Sequence, residues 1–197
     1  MEKNDDLDIL VNKMHKLNKR YVPNNLVDIY NPYYKASFKD GRLQVRGELV
    51  EYLEKMNKEA TYYGFPLYVS SGYRSYEYQE KLLRYFLIRM GREAFQRVAP
   101  PGASEHQTGL GVDLTIINDD LQATSIKADT PAFQYLTEDA WKHGFILRYP
   151  EGKEKITLYS FEPWHYRFVG VDTAEYITKN GLTLEEYHEE RKSNIAL

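Results

Sequence analysis

The chain has 197 residues, a formal net charge of -3 at neutral pH and no cysteine. That length suits one domain with a sizeable core and falls short of two. The charge balance leaves no basic footprint for nucleic acid, and the lack of thiols excludes both disulfides and a thiolate metal cage.

Residues 1–8 are mostly charged or polar, with no apolar run long enough for a signal peptide or membrane span, so the expectation is a cytoplasmic protein. Leu7, Leu10, Val11 and Met14 recur at helical spacing, with Asp5 or Asp6 available as a cap, and predict a first short helix over residues 7–17. Tyr21-Val22-Pro23-Asn24-Asn25 then predicts a connector that wraps over the rest. Val45, Leu49, Leu53, Met56, Ala60 and Tyr63 predict one amphipathic helix over residues 44–63, with the apolar stripe as core. After Gly64 and Pro66, residues 67–71 read as a strand that delivers Arg74 at its exit. Residues 76–90 form the next predicted helix, ended by Gly91, and two prolines with a glycine in residues 98–103 suit a rigid rim.

The run Ser104-Glu105-His106-Gln107-Thr108-Gly109-Leu110-Gly111-Val112-Asp113 follows. Residues 111–117 read as a buried strand with Val112 and Leu114 on the face opposite Asp113. Gly109 and Gly111 let the chain fold back and bring His106 beside that carboxylate. Residues 118–130 are polar and read as a surface excursion. Pro131 opens a helix through residue 141, and His143-Gly144 closes it, with His143 expected to meet the helix dipole. Residues 145–149 and 155–169 predict an antiparallel pair whose returning arm carries Glu162-Pro163-Trp164-His165. Pro163 cannot donate to a ladder and biases Glu162 away from the α region, so a bend lets Glu162 and His165 converge. Trp164, Tyr166 and Phe168 alternate with His165 and Arg167, which predicts an aromatic core face and a site face. Two helices, over residues 172–180 and 184–192, complete the chain, the second opened by a Thr183–Glu186 capping box. His15 and His188 fall on solvated faces.

Two imidazoles, one carboxylate and a spare glutamate form the donor set of a catalytic zinc centre, which keeps its fourth position open for water. Glu162 is placed to accept that water's proton. The predicted fold is α+β, a small, mainly antiparallel sheet carrying the site and flanked by helices. A single domain comprises an N-terminal helix and arm (1–43), a catalytic core (44–170) and C-terminal helices (171–197).

Residues 104–113 resemble the Ser-x-His-x-x-Gly-x-Ala-x-Asp signature of the VanY, VanX and VanXY zinc D,D-peptidases, with the pneumococcal-type L,D-carboxypeptidases nearby. Glu162-Pro163-Trp164-His165 resembles the Glu-x-x-His element of that family, and Ser71-Gly72-Tyr73-Arg74-Ser75 with Gln79 resembles its Gly-Tyr-Arg motif. Gly111 departs from the signature, which has alanine there, and removes a methyl but no ligand.

The resemblance implies one zinc ion on His106, Asp113 and His165, with Glu162 as general base and acid and Arg74 steadying the oxyanion. It sets Ser104 and Gln79 near the carboxyl end of a peptide. Tyr149 and Trp164 are candidates for the pocket wall, with core packing as their other reading. The implied activity is removal of the terminal D-Ala from peptidoglycan precursor or stem peptides ending in D-Ala-D-Ala. D,D-dipeptidase action and a part in glycopeptide resistance would extend it. An L,D-carboxypeptidase trimming tetrapeptide stems uses the same residues. From another class, a non-catalytic zinc-dependent binding module resembles Hedgehog domains; the presence of both Glu162 and Arg74 favours the enzyme. The oligomeric state is open.

Overall fold

The computed structural model describes residues 6–30, 43–117 and 122–195. β1 (Leu26–Asp28) and β2 (Gln44–Arg46) form a small antiparallel ribbon. The main sheet sets β3 (Leu67–Ser71), β4 (Gly111–Ile117), β7 (His165–Phe168) and β6 (Phe145–Leu147) side by side in that order, while β5 (Ala123–Ser125) also pairs with β4. Every pairing is antiparallel.

Helices surround this sheet: α1 (Val50–Tyr62), α2 (Tyr76–Met90), the short α3 (Ala94–Arg97), α4 (Pro131–Asp139), the short α5 (Glu154–Thr157), α6 (Val171–Lys179) and α7 (Leu184–Ile195). None among the described residues is long and apolar enough to cross a membrane. Leu49, Met56 and Ala60 from α1 and its lead-in pack against Val69, Val112, Leu114, Tyr166 and Phe168 in one core. Val112 and Tyr166 are direct cross-strand partners, so the strand alternation sends their neighbours Asp113 and His165, also partners, to the other face. The aromatic face expected of this arm is present, with Trp164 partly buried against the same core.

The helix boundaries follow local chemistry. Ser75 caps α2 by accepting from the backbone N–H of Tyr78 at 3.2 Å, and Gly91 ends it at φ +60°. The predicted capping box is formed: Thr183 N–H donates to Glu186 Oε2 at 2.7 Å, and Glu186 N–H to Thr183 Oγ1 at 3.2 Å. His143 precedes Gly144 as expected, but its ring engages Glu59, Nε2 to Oε2 at 2.7 Å. His188 meets the Asp8 carbonyl at 2.6 Å.

Three expectations need correction. Residues 7–17 form turns and bends, not a helix. The Asn12 side chain accepts from the backbone N–H groups of Met14 and His15, both at 2.9 Å, which competes with helical pairing. Arg167 takes the carbonyls of Leu7 and Ile9 at 2.9 and 2.8 Å. The predicted helix over 44–63 is split: Gln44–Arg46 pairs with β1, and α1 starts after a single tight turn at Gly47–Leu49. Gly47 allows the chain to pass Asn25, whose Nδ2 would lie 2.6 Å from any added Cβ. The strand expected over 155–169 is reduced to His165–Phe168, because residues 154–157 coil into α5 and Leu158 reverses the chain at φ +66°. Asp5 and residues 31–42 of the predicted arm lie outside the described residues, as do residues 118–121 of the polar excursion.

Candidate metal centre and active site

The site is assembled by sheet register and one tight crossing. Asp113 on β4 and His165 on β7 are paired across the ladder. A bulge in β3 between Val69 and Ser71 lets Ser70 Oγ donate to the Asp113 carbonyl at 3.1 Å, which fixes the strand beneath its carboxylate. His106 arrives from a one-turn helix, Glu105–Thr108, that Gly109 terminates at φ +70°. Its Nδ1 lies 2.7 Å from the Gly72 carbonyl. A carbonyl only accepts, so Nδ1 carries the proton and Nε2 keeps its lone pair. Gly72 has to be glycine: a Cβ there would fall 2.2 Å from the Gln44 carbonyl oxygen. Pro163 sits in a turn closed by His165 N–H donating to Glu162 O at 3.1 Å, which brings both side chains to one side as expected.

His106 Nε2 lies 3.4 Å from Asp113 Oδ1, and His165 Nδ1 lies 2.9 Å from the same oxygen. One candidate ligand atom from each of the three lies within 4.8 Å of the others. Tetrahedral zinc with ligands at about 2.0–2.2 Å separates them by roughly 3.3–3.6 Å, so the donor set suits such an ion with small adjustments. His106 Nε2 is buried with no hydrogen-bond partner, as a nitrogen reserved for a metal would be.

Burial, then the nearby Arg74 charge, lower His106 to about 4, so its ring is neutral at physiological pH. Burial pulls His165 in the same direction, but the hydrogen bond to Asp113 and the facing Glu105 carboxylate prevail and raise it to about 9. Glu162 is raised to about 7, chiefly by burial and with help from Asp113, against His165 and Arg74. A carboxyl near neutrality both accepts and returns a proton readily. Metal must displace the His165 proton below pH 9. Zinc affinity is therefore expected to rise about tenfold per pH unit between pH 6 and 8, with a proton released from His165. Calorimetry in buffers of different ionisation enthalpy measures this directly; a pH-independent affinity with no proton release would contradict it.

A cleft of about 360 Å³ opens beside the three candidate ligands. Arg74, Gln79, Glu162 and Trp164 line it, together with Asp113, His165 and, from α2 and α3, Tyr78, Leu82, Phe86 and Arg97. Arg74 Nε is buried without a hydrogen-bond partner. Gln79 donates its amide N–H to the Ala99 carbonyl at 2.8 Å, leaving Oε1 unpartnered. Ser104 and Tyr149 are only 3% and 5% exposed and do not line this cleft. Tyr149 packs between Tyr159 and His165, its ring centroid 4.9 Å from the imidazole.

Sequence reasoning gave no role to Glu105, which is fully buried against Arg148 and Arg167. It lies inside the 104–113 run, but its partners are distant in the chain. A Cβ at Gly111 would lie 3.3 Å from the Glu105 Cβ, so the departure from the alanine signature leaves more room over this acid.

The VanY family, described as D-alanyl-D-alanine carboxypeptidase, matches residues 42–171. The bifunctional D-Ala-D-Ala dipeptidase and D-Ala-D-Ala carboxypeptidase VanXYC of Enterococcus gallinarum is 37% identical over 184 residues, spanning 91% of this chain and 92% of VanXYC. The LdcB LD-carboxypeptidase structure matches with a TM-score of 0.82 at 38% identity, over 96% of this chain and 88% of LdcB. A mutant of the vancomycin resistance D,D-pentapeptidase VanY from a VanB-type cassette, in complex with Zn(II), matches with a TM-score of 0.76 at 32% identity, over 91% of this chain and 97% of that one. The matched family region contains the three candidate ligands, Glu162 and Arg74, and the chain belongs to the VanY family of D-alanyl-D-alanine carboxypeptidases, an enzyme of the metallopeptidase kind.

Proposed function

We propose that this enzyme is a zinc-dependent D,D-carboxypeptidase that removes the terminal D-Ala from peptidoglycan precursor or stem peptides ending in D-Ala-D-Ala. The observation that carries this reading is Glu162, raised to about 7 and 3.7 Å from His165, in the cleft beside the three-ligand centre. Zinc on His106, Asp113 and His165 would acidify a water and polarise the scissile carbonyl. Glu162 takes the proton of the attacking water as its oxygen bonds to the carbonyl carbon, then hands that proton to the departing amine as the oxyanion collapses and the amide C–N bond breaks. Arg74 stays charged throughout and faces the negative charge that develops on the carbonyl oxygen. Gln79 leaves its Oε1 unpartnered, and that oxygen suits a peptide N–H of the substrate. Trp164 supplies a flat wall.

A second reading, an L,D-carboxypeptidase acting on tetrapeptide stems, draws support from the LdcB likeness. Action on free D-Ala-D-Ala, and with it a part in glycopeptide resistance, draws support from VanXYC. Mass spectrometry of zinc-loaded and metal-stripped enzyme with a muramyl pentapeptide, the matching tetrapeptide and the free dipeptide separates these. The expected result is zinc-dependent loss of one alanine from the pentapeptide. Cleavage of the tetrapeptide alone would establish the L,D reading, and no cleavage with zinc tightly bound would leave a binding module.

A further inference from the structure

Glu105 is fully buried, and each of its oxygens has a distinct environment. Oε1 accepts from Arg148 Nε at 2.6 Å and from Arg167 Nη1 at 2.7 Å. Oε2 has no hydrogen-bond partner and faces His165 Nε2 at 3.6 Å, a nitrogen that is also buried and unpartnered. The arginines are themselves anchored. Arg148 forks onto Glu185 at 2.8 and 2.6 Å, and Arg167 binds the Leu7 and Ile9 carbonyls. Glu105 Oε1 is thus held in a dry site by two anchored guanidinium groups, and Oε2 is left to face His165.

We propose that Glu105 is a positioning residue for the metal centre. It receives the Nε2 proton of His165 and so holds that ring in the tautomer that presents Nδ1 to the metal. The inference rests on the zinc reading above. His165 Nδ1 is the nitrogen beside Asp113, so a metal shared with Asp113 leaves Nε2 to carry the proton. Glu105 Oε2 is the carboxylate oxygen facing it, a few tenths of an ångström beyond hydrogen-bond range, and a slight tilt of the ring closes that gap. A ligating imidazole whose other N–H is held by a carboxylate is fixed in orientation and is a better donor. His106 is held in the opposite sense, with Nδ1–H on the Gly72 carbonyl and Nε2 toward the site. The two rings therefore bind with different nitrogens, each dictated by what stands behind it.

Glu105→Gln discriminates sharply. The two arginines would keep the amide oxygen, which turns the NH₂ toward His165 Nε2 and favours the tautomer with the proton on Nδ1, where the metal belongs. Chelator competition is expected to show zinc affinity weakened about 10- to 100-fold in the variant. Nitrogen-15 NMR of zinc-loaded wild-type protein with labelled histidine is expected to show His165 protonated at Nε2 and His106 at Nδ1. The NMR measurement does not depend on how well the variant folds. An unprotonated His165 Nε2, or unchanged zinc affinity in a folded Glu105→Gln protein, would overturn the positioning role and leave the zinc reading intact. A wild-type protein that binds no zinc would overturn both.

Discussion

Replacing Glu162 with alanine is expected to lower turnover by about 10²- to 10⁴-fold, the usual contribution of a general acid–base group, while zinc remains bound. The two functions separate because the fold uses only the backbone of residue 162. Its N–H donates to the Tyr149 carbonyl at 3.1 Å and its carbonyl accepts from His165, and alanine keeps both. The Glu162 side chain lies 3.7 Å from His165 Nδ1, beyond hydrogen-bond range. The turn that aims His165 therefore survives. Steady-state kinetics beside a metal assay on the same preparation tests this. Turnover within a few-fold of wild type would remove Glu162 from the chemistry. Loss of zinc along with activity would make it a ligand.

The largest expected effect on stability comes from Arg148→Met. Arg148 is fully buried and balances Glu105 on one side and Glu185 on the other. Deleting one partner of a buried ionic network leaves uncompensated charge in a dry interior and costs about 3–5 kcal/mol. For a domain of this size that corresponds to a fall in melting temperature of roughly 6–20 °C. The ion pairs Lys55–Glu51 and Lys179–Glu175 are mostly exposed and belong to a class worth about 0–1 kcal/mol. Melting curves of the metal-free proteins make the comparison without metal loss confusing it. A shift below about 2 °C would mean that both carboxylates find other partners.

The candidate metal set was legible in the sequence because catalytic zinc demands few residue types, and His106, Asp113 and His165 stand in turn and strand contexts that can be read locally. Caps such as Ser75 and Thr183–Glu186 were legible for the same reason, since a cap is satisfied within one turn. Some of the failures trace to a distant partner. Leu7, Leu10, Val11 and Met14 have helical spacing, but Arg167, remote in the chain, claims the Leu7 and Ile9 carbonyls. Gln44–Arg46 continues an apolar stripe and becomes a strand because β1 is there to pair with it. Glu105 was invisible for want of any local sign that two arginines would converge on it. Tyr149 shows an aromatic residue near a site serving as backing for a candidate ligand rather than as a wall of the cleft.

The cross-strand pairing of Asp113 with His165 has a consequence for how the chain reaches its final state. Strand side chains alternate, so a slip of one residue between β4 and β7 would turn one of these two toward the core. A metal ion held by both would recognise the correct alignment and gain nothing from its neighbours. Its binding free energy is then added to that alignment alone, by mass action. During refolding such an ion would serve as a proofreader, rewarding only chains whose two strands have met in step.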